Sequence, residues 1–131
     1  MNNNNNLLRF RRLWLAIGWI MIATVFYLSL IPELPGPDSP FGDKFNHIFT
    51  FTTLMLWFSQ LYRSRSQRLI VALGLMAFGI AIEFAQEQTG YRQYEVADMG
   101  ADAIGIAFGF LLSETPLIRG LHWFERTFNL S

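Results

Sequence analysis

Residues 96–113 read VADMGADAIGIAFGFLLS, an apolar segment that carries two aspartates near its start. About 20 helical residues are needed to cross the hydrocarbon core of a bilayer, so the segment is long enough only if Asp98 and Asp102 lie inside the helix. Asp98, Asp102, Gly105 and Gly109 follow one another at helical spacing and share one face. Glycines at this spacing let a second helix approach closely. The segment therefore predicts a membrane helix whose acidic end is held against neighbouring helices.

Three further apolar segments precede this one. Residues 13–31 carry no charge, residues 45–62 include His47, and residues 69–82 are long enough only when extended through Glu83 to Gln86. The first segment is long and no small-residue cleavage site follows it, so we interpret it as a retained helix and not a signal peptide. The predicted fold class is all-α: a four-helix transmembrane bundle with both termini cytoplasmic and a short amphipathic interfacial helix at the C-terminus.

The composition favours the membrane class. Apolar residues make up 52% of the 131 residues and charged residues 15%, against about 25% charged residues in a typical soluble domain. The length favours a single domain, and a net charge of zero gives no indication of a nucleic-acid partner. The chain contains no cysteine, which excludes disulfides, thiolate metal ligands and cysteine nucleophiles.

The basic residues set the predicted orientation, because Lys and Arg are retained on the cytoplasmic side of a membrane. Lys44 and Arg92 lie in or beside the two predicted outer loops. The other basic residues lie at the opposite ends of the helices: Arg9, Arg11, Arg12, Arg63, Arg65, Arg68, Arg119 and Arg126. We therefore expect both termini in the cytoplasm.

This threading divides the chain into three parts. Residues 1–12 are predicted to be a disordered basic N-terminus, and residues 13–113 are predicted to be the transmembrane domain. Residues 114–131 are predicted to form an amphipathic tail on the cytoplasmic face, because apolar side chains repeat there at helical spacing. Those side chains are Leu117, Leu121, Phe124 and Phe128. We expect this tail to anchor the chain at the membrane interface without taking part in chemistry.

The polar groups within reach of the apolar layer collect at the predicted outer ends of the helices. They are Ser29, Asp43, Lys44, His47, Glu83, Gln86, Glu95, Asp98 and Asp102, and Arg92 lies in the loop before the fourth helix. Ionisable groups inside a membrane are costly and usually functional. The sequence therefore predicts a polar pocket at the outer membrane face.

The candidate catalytic residues are Asp43, His47, Glu83 and Asp98. Asp43 and His47 share a helical face, which lets a carboxylate fix the tautomer of the imidazole and raise its basicity. Glu83 and Asp98 lie on facing helices and can divide the roles of acid and base between them. Lys44 and Arg92 are candidate ligands for phosphate. The other candidate substrate-binding residues are Gln86, Glu95, Asp102 and Ser29.

Two alternatives for the same carboxylates remain open at this point. With Asp43 or His47 they form an oxygen-rich site for a divalent cation, either magnesium or manganese, or zinc where the histidine joins. Alternatively, they form a structural cluster that fixes the register of the helices. A divalent cation is thus a candidate cofactor, and the sequence does not choose among the metals.

These motifs resemble the VanZ-like family of small integral membrane proteins. The resemblance runs over residues 13–113 and rests on Ser29-x-x-Pro32, Asp43-Lys44-x-x-His47, Glu83-x-x-Gln86, Arg92 and Glu95-x-x-Asp98, followed by Gly105 and Gly109. Asp102 stands where the family usually has asparagine. The family is named for a protein that lowers susceptibility to the glycopeptide antibiotic teicoplanin. The resemblance implies a multi-pass protein of the bacterial inner (cytoplasmic) membrane, without implying a defined reaction.

Three functions fit these observations. The first is binding of, or action on, an anionic lipid-linked component of the cell envelope, with membrane lipids or an envelope precursor as partner. The second is a small proton-coupled carrier. It is disfavoured because no polar stripe reaches the inner ends of the helices, so a single chain offers no polar path across the membrane; a homo-oligomer would supply one. The third is a non-catalytic structural or regulatory subunit of an envelope assembly.

Overall fold

The computed structural model of the protein describes residues 8–31, 40–90 and 95–128, and for residues 40–43 it describes the backbone alone. This part of the chain is helical and contains no strand, which confirms the predicted all-α class. The elements are α1 (Arg11–Leu30), α2 (Pro40–Leu61), α3 (Arg65–Gln88), α4 (Val96–Ser113), a 3₁₀ turn (Pro116–Arg119) and α5 (Gly120–Thr127). Arg92, the side chain of Asp43 and residues 1–7 lie outside the described residues.

Two segments were predicted to be long enough to cross a membrane only with their polar residues inside the helix, and the helix bounds agree with this. α4 spans the predicted residues 96–113 with both aspartates inside it, and α3 continues through Glu83 and Gln86. α2 begins at Pro40, earlier than the predicted start near residue 45. Proline suits the first turn of a helix, because the N–H that it lacks would have no intrahelical acceptor there.

The four long helices run alternately up and down. The start of α1 lies beside the end of α2, where Arg11 Nη2 donates a 3.1 Å hydrogen bond to the carbonyl of Leu61. At the opposite end of the bundle, Gln86 Nε2 on α3 donates a 2.9 Å bond to the carbonyl of Ser29 on α1. This topology brings the ends of α1 and α3 together with the starts of α2 and α4, and those are the ends that carry the candidate polar residues.

Three helices in the described part of the chain are long and apolar enough to cross a membrane: α1, α3 and α4. The polar residues of α2 lower its hydropathy. α2 contacts α1, α3 and α4 and buries Phe51, Leu54 and Met55, whereas its Phe45 and Phe49 are exposed.

Gly105 and Gly109 allow the extensive contact between α2 and α4. A Cβ added to Gly105 would lie 2.5 Å from the backbone oxygen of Ile48, and one added to Gly109 would lie 2.8 Å from that of Thr52. Thr52 Oγ1 also donates a 3.0 Å hydrogen bond to the carbonyl of Gly105. The predicted close approach of a second helix to this glycine face is confirmed.

The far end of the bundle is closed by α5. Glu125 on α5 is fully buried and accepts hydrogen bonds from the backbone N–H of Arg9 at 2.8 Å and of Phe10 at 3.3 Å, and from the Trp14 indole at 2.6 Å. The N–H groups at a helix start have no intrahelical acceptor, and the helix dipole favours a negative charge there. Glu125 therefore fastens α5 to the start of α1.

Two expectations about the chain ends change. Residues 8–12 are ordered, because Glu125 holds the segment that leads into α1, so the predicted disordered N-terminus does not include them. The tail is divided into a 3₁₀ turn beginning at Pro116 and the separate helix α5. Of the predicted apolar stripe, Leu121 is buried on the bundle beside Glu125, whereas Leu117 and Phe128 are exposed.

Candidate functional site

The polar residues predicted to share one membrane face meet at one end of the bundle. Among the described residues, α1 contributes Ser29, α2 contributes Lys44 and His47, α3 contributes Glu83 and Gln86, and the start of α4 contributes Glu95, Asp98 and Asp102. Because these residues come from four helices, their side chains converge only once the bundle is formed.

His47 lies between two aspartates of α4. Its Nδ1 is 2.7 Å from Asp102 Oδ1, and its Nε2 is 3.7 Å from Asp98 Oδ2. A carboxylate that accepts a hydrogen bond from Nδ1 fixes the imidazole in the tautomer whose Nε2 carries the lone pair. Asp102 thus orients the imidazole and directs Nε2 towards Asp98, and the predicted pairing of His47 with Asp43 stays a prediction.

Lys44 is engaged by two carboxylates. Its Nζ lies 2.7 Å from Glu95 Oε2 and also forms an ion pair with Asp98 Oδ1. The Lys44 side chain is 30% exposed and that of Asp98 only 10%, so the pair lies at the rim of the polar cluster. An anion that reached Lys44 would have to compete with these carboxylates, which weakens the predicted role of Lys44 as a phosphate ligand.

Glu83 is the most enclosed acid of the cluster. It has no exposed surface, and its Oε2 accepts a 3.2 Å hydrogen bond from the backbone N–H of Glu95. Its Oε1 is buried and has no hydrogen-bond partner in the described part of the chain. A buried polar atom left without a partner costs about 1–3 kcal/mol, so native structures rarely retain one without a reason.

Glu83, Asp98 and His47 converge on one point. Each offers one potential ligand atom, and the three atoms lie within 4.8 Å of one another. The sequence had identified Glu83 and Asp98 as facing carboxylates. The sequence had left Asp43 or His47 open as their partner in a cation site; the structure brings His47 to the group and adds Asp102 as the residue that orients it.

A cleft of about 230 Å³ opens beside His47, between α1, α2 and α3. Its polar lining consists of Ser29, Asn46, His47, Thr50 and Gln86, and its apolar lining consists of Val25, Leu28, Phe51 and Ile82. The Ser29 hydroxyl donates a 2.6 Å hydrogen bond to the carbonyl of Val25 on its own helix. Asn46 and Thr50 were not predicted as site residues, although their four-residue spacing is the signal that could have indicated a shared face.

Gly79 on α3 makes room for Asp102. A Cβ added to Gly79 would lie 2.6 Å from Asp102 Oδ2, whereas Gly74 on the same helix has open space around it. We expect Gly79→Ala to rotate the Asp102 carboxylate away from His47, and Gly74→Ala to leave it in place. Losing one hydrogen bond should make Gly79→Ala less stable than Gly74→Ala by about 1 kcal/mol. Thermal unfolding in detergent, with ¹⁵N NMR of the imidazole nitrogens, checks both effects; equal stability and an unchanged His47 tautomer would contradict them.

The comparisons with known proteins supply one relative. No protein-family model matches the chain, and no solved structure matches it. The chain is similar to an uncharacterized protein of the yeast Schizosaccharomyces pombe, with 31% identity over 106 residues. The similar region covers 79% of this chain and 64% of the yeast protein. The chain therefore has a yeast relative that extends beyond the similar region, and its function has to be argued from the site itself.

Proposed function

We propose that the chain is a VanZ-like multi-pass membrane protein in which all four long helices span the membrane and both termini face the cytoplasm. The lower hydropathy of α2 is compatible with this, because its polar side chains pack against other helices. The arginines at the α5 end favour the orientation under the positive-inside rule. The bacterial cytoplasmic membrane follows from the family resemblance, and the carboxylate end then faces outwards.

In this orientation the protein binds the anionic headgroup of a lipid-linked cell-envelope molecule in the outer leaflet. The observation that carries the proposal is the cleft beside His47. This cleft is lined partly by polar and partly by apolar side chains. A ligand that matches such a lining has a polar head joined to an apolar chain, and small-molecule sites commonly place a few polar groups in an apolar wall. His47, which lines the cleft and is oriented by Asp102, also suits acid–base chemistry on that headgroup.

A proton-coupled carrier is less well supported. The core residues Phe51, Leu54, Met55, Leu75 and Ile106 form one apolar cluster. This cluster lies between the carboxylate end and the arginine end, so the described residues of a single chain provide no polar path between the two ends. A purely structural role is also less well supported, because a cluster that only fixes helix register gains nothing from the unpartnered Glu83 Oε1.

The test is native mass spectrometry of the protein extracted gently from its membrane. We expect a phosphate-bearing lipid to co-purify with the wild type and to be lost in Thr50→Phe, because the larger side chain fills the cleft. Thr24→Phe makes the same change on an exposed position of α1 and should retain the lipid. In cells, we expect the protein to lower teicoplanin susceptibility and Thr50→Phe to remove that effect. A wild type without lipid, or equal lipid in both variants, would contradict the binding proposal.

A further inference from the structure

We propose that His47, Glu83 and Asp98 hold one divalent transition-metal ion, zinc or manganese. The three potential ligand atoms lie within 4.8 Å of one another, so a small shift of each side chain brings all of them to one ion. The inference deepens the proposed function, because the ion is what an anionic headgroup would contact. The binding of the ion itself is argued from the positions of its three ligands and does not depend on that function.

The orientation of His47 is the first support. A histidine that ligates a metal commonly donates its other ring N–H to a carboxylate, which fixes its tautomer and raises the basicity of the ligating nitrogen. Asp102 stands in this relation to Nδ1 at 2.7 Å. The Nε2 lone pair is thereby directed towards Asp98 Oδ2, 3.7 Å away, and a cation between the two atoms would turn a repulsive contact into an attractive one.

The unpartnered oxygen of Glu83 is the second support, and it is independent of His47. Glu83 has no exposed surface, and its Oε1 lacks a hydrogen-bond partner in the described residues although its Oε2 has one. This oxygen belongs to a side chain that reaches the convergence point of the three groups. A bound cation would give Oε1 the partner that the protein itself does not supply.

The charge of the cluster is the third support. Among the described residues, the cluster holds one ammonium group, that of Lys44, together with the buried carboxylates of Glu83, Asp98 and Asp102 and the half-exposed carboxylate of Glu95. Excess negative charge in a buried site requires a cation or protons. Lys44 engages Asp98 through Oδ1, which leaves Oδ2, the oxygen nearest to His47, for a second cation.

The donor set selects the metal. One imidazole nitrogen with two carboxylate oxygens suits zinc or manganese better than calcium, which takes six to eight oxygen ligands. Three protein ligands leave a coordination position open, as in catalytic zinc sites. A phosphate oxygen in that position would explain how a cluster with excess negative charge accepts an anionic headgroup.

The test uses the full chain in detergent, stripped of metal with a chelator and dialysed against zinc or manganese alone. Elemental mass spectrometry should find about one ion per chain in the wild type, the stoichiometry of a single mononuclear site. We expect Glu83→Gln and His47→Ala to lose the ion. Asp102→Ala, which removes the orienting carboxylate and no ligand, should weaken the affinity by roughly 10–100-fold.

Glu125→Gln is the matched control, because it neutralises an equally buried carboxylate at the opposite end of the bundle. It should lose stability yet bind the ion like the wild type, which separates loss of a ligand from loss of fold. A wild type that takes up neither metal, or a Glu83→Gln variant that binds as well as the wild type, would overturn the inference. If the wild type takes up neither metal but retains lipid, this inference fails and the lipid-binding proposal stands. If the wild type binds the metal but carries no lipid, the lipid-binding proposal fails and this inference stands.

Discussion

Glu125→Ala is expected to lower the free energy of unfolding more than any other single substitution proposed for this protein. The carboxylate of Glu125 is fully buried and accepts three hydrogen bonds, from the backbone N–H of Arg9 and Phe10 and from the indole of Trp14. Removing it leaves the buried Trp14 indole without an acceptor, at about 1–3 kcal/mol, and removes the acceptor of the two part-buried backbone N–H groups, at about 1 kcal/mol each. Loss of the charge at the start of α1 adds about 0.3–1 kcal/mol. We expect a total of roughly 3 kcal/mol or more on these grounds.

The measurement is thermal or denaturant unfolding in detergent, followed by circular dichroism and by tryptophan fluorescence. Trp14 packs against Trp57 and Phe124, with ring centroids 6.1 Å and 5.6 Å apart, so its emission should change when α5 detaches. Glu125→Gln keeps an oxygen acceptor without the charge, and its stability should fall between wild type and Glu125→Ala. Glu87→Ala, at an exposed position of α3, should be close to neutral. An equally small effect at Glu125 would show that α5 does not hold α1.

Gly105→Ala is expected to have the second largest effect on stability, because it forces α2 and α4 apart. The added Cβ would lie 2.5 Å from the backbone oxygen of Ile48 and 3.1 Å from its Cα. Backbone atoms of a helix cannot rotate away as a side chain does, so the helices must separate. Overpacking of this kind typically costs about 1–3 kcal/mol. The separation should also break the 3.0 Å hydrogen bond from Thr52 to the Gly105 carbonyl.

Gly100→Ala is the matched control on the same helix, since a Cβ there meets no atom within 4 Å. Alanine is favoured over glycine inside a helix by about 1 kcal/mol, so Gly100→Ala should be neutral or stabilising. Gly109→Ala should behave like Gly105→Ala, because its Cβ would meet Met55 Cβ at 2.7 Å. Unfolding in detergent measures all three variants. Equal stability of Gly105→Ala and Gly100→Ala would contradict the close packing of α2 on α4.

The candidate site was predictable in membership but not in pairing. Hydropathy and helical spacing predict that His47, Glu83, Asp98 and Asp102 lie at the same end of the helix bundle. In the structure their side chains lie close together at that end. The sequence paired His47 with Asp43 because they are four residues apart. The structure shows a His47–Asp102 bond between α2 and α4, which depends on how each helix is rotated about its own axis, whereas the Asp43 side chain lies outside the described residues.

The sequence by itself determined the elements and the end of the bundle at which the polar groups lie. The bounds of α4 and the continuation of α3 through Gln86 follow from local hydropathy, and the glycine face of α4 follows from spacing along one helix, so both are encoded within single segments; the start of α2 at Pro40 was not predicted. Only the tertiary structure decided that α2 packs chiefly on α4, that Lys44 is held between Glu95 and Asp98, and that Glu125 is buried. These features arise from contacts between residues far apart in the chain, and no periodicity within one segment specifies which faces of two helices will meet.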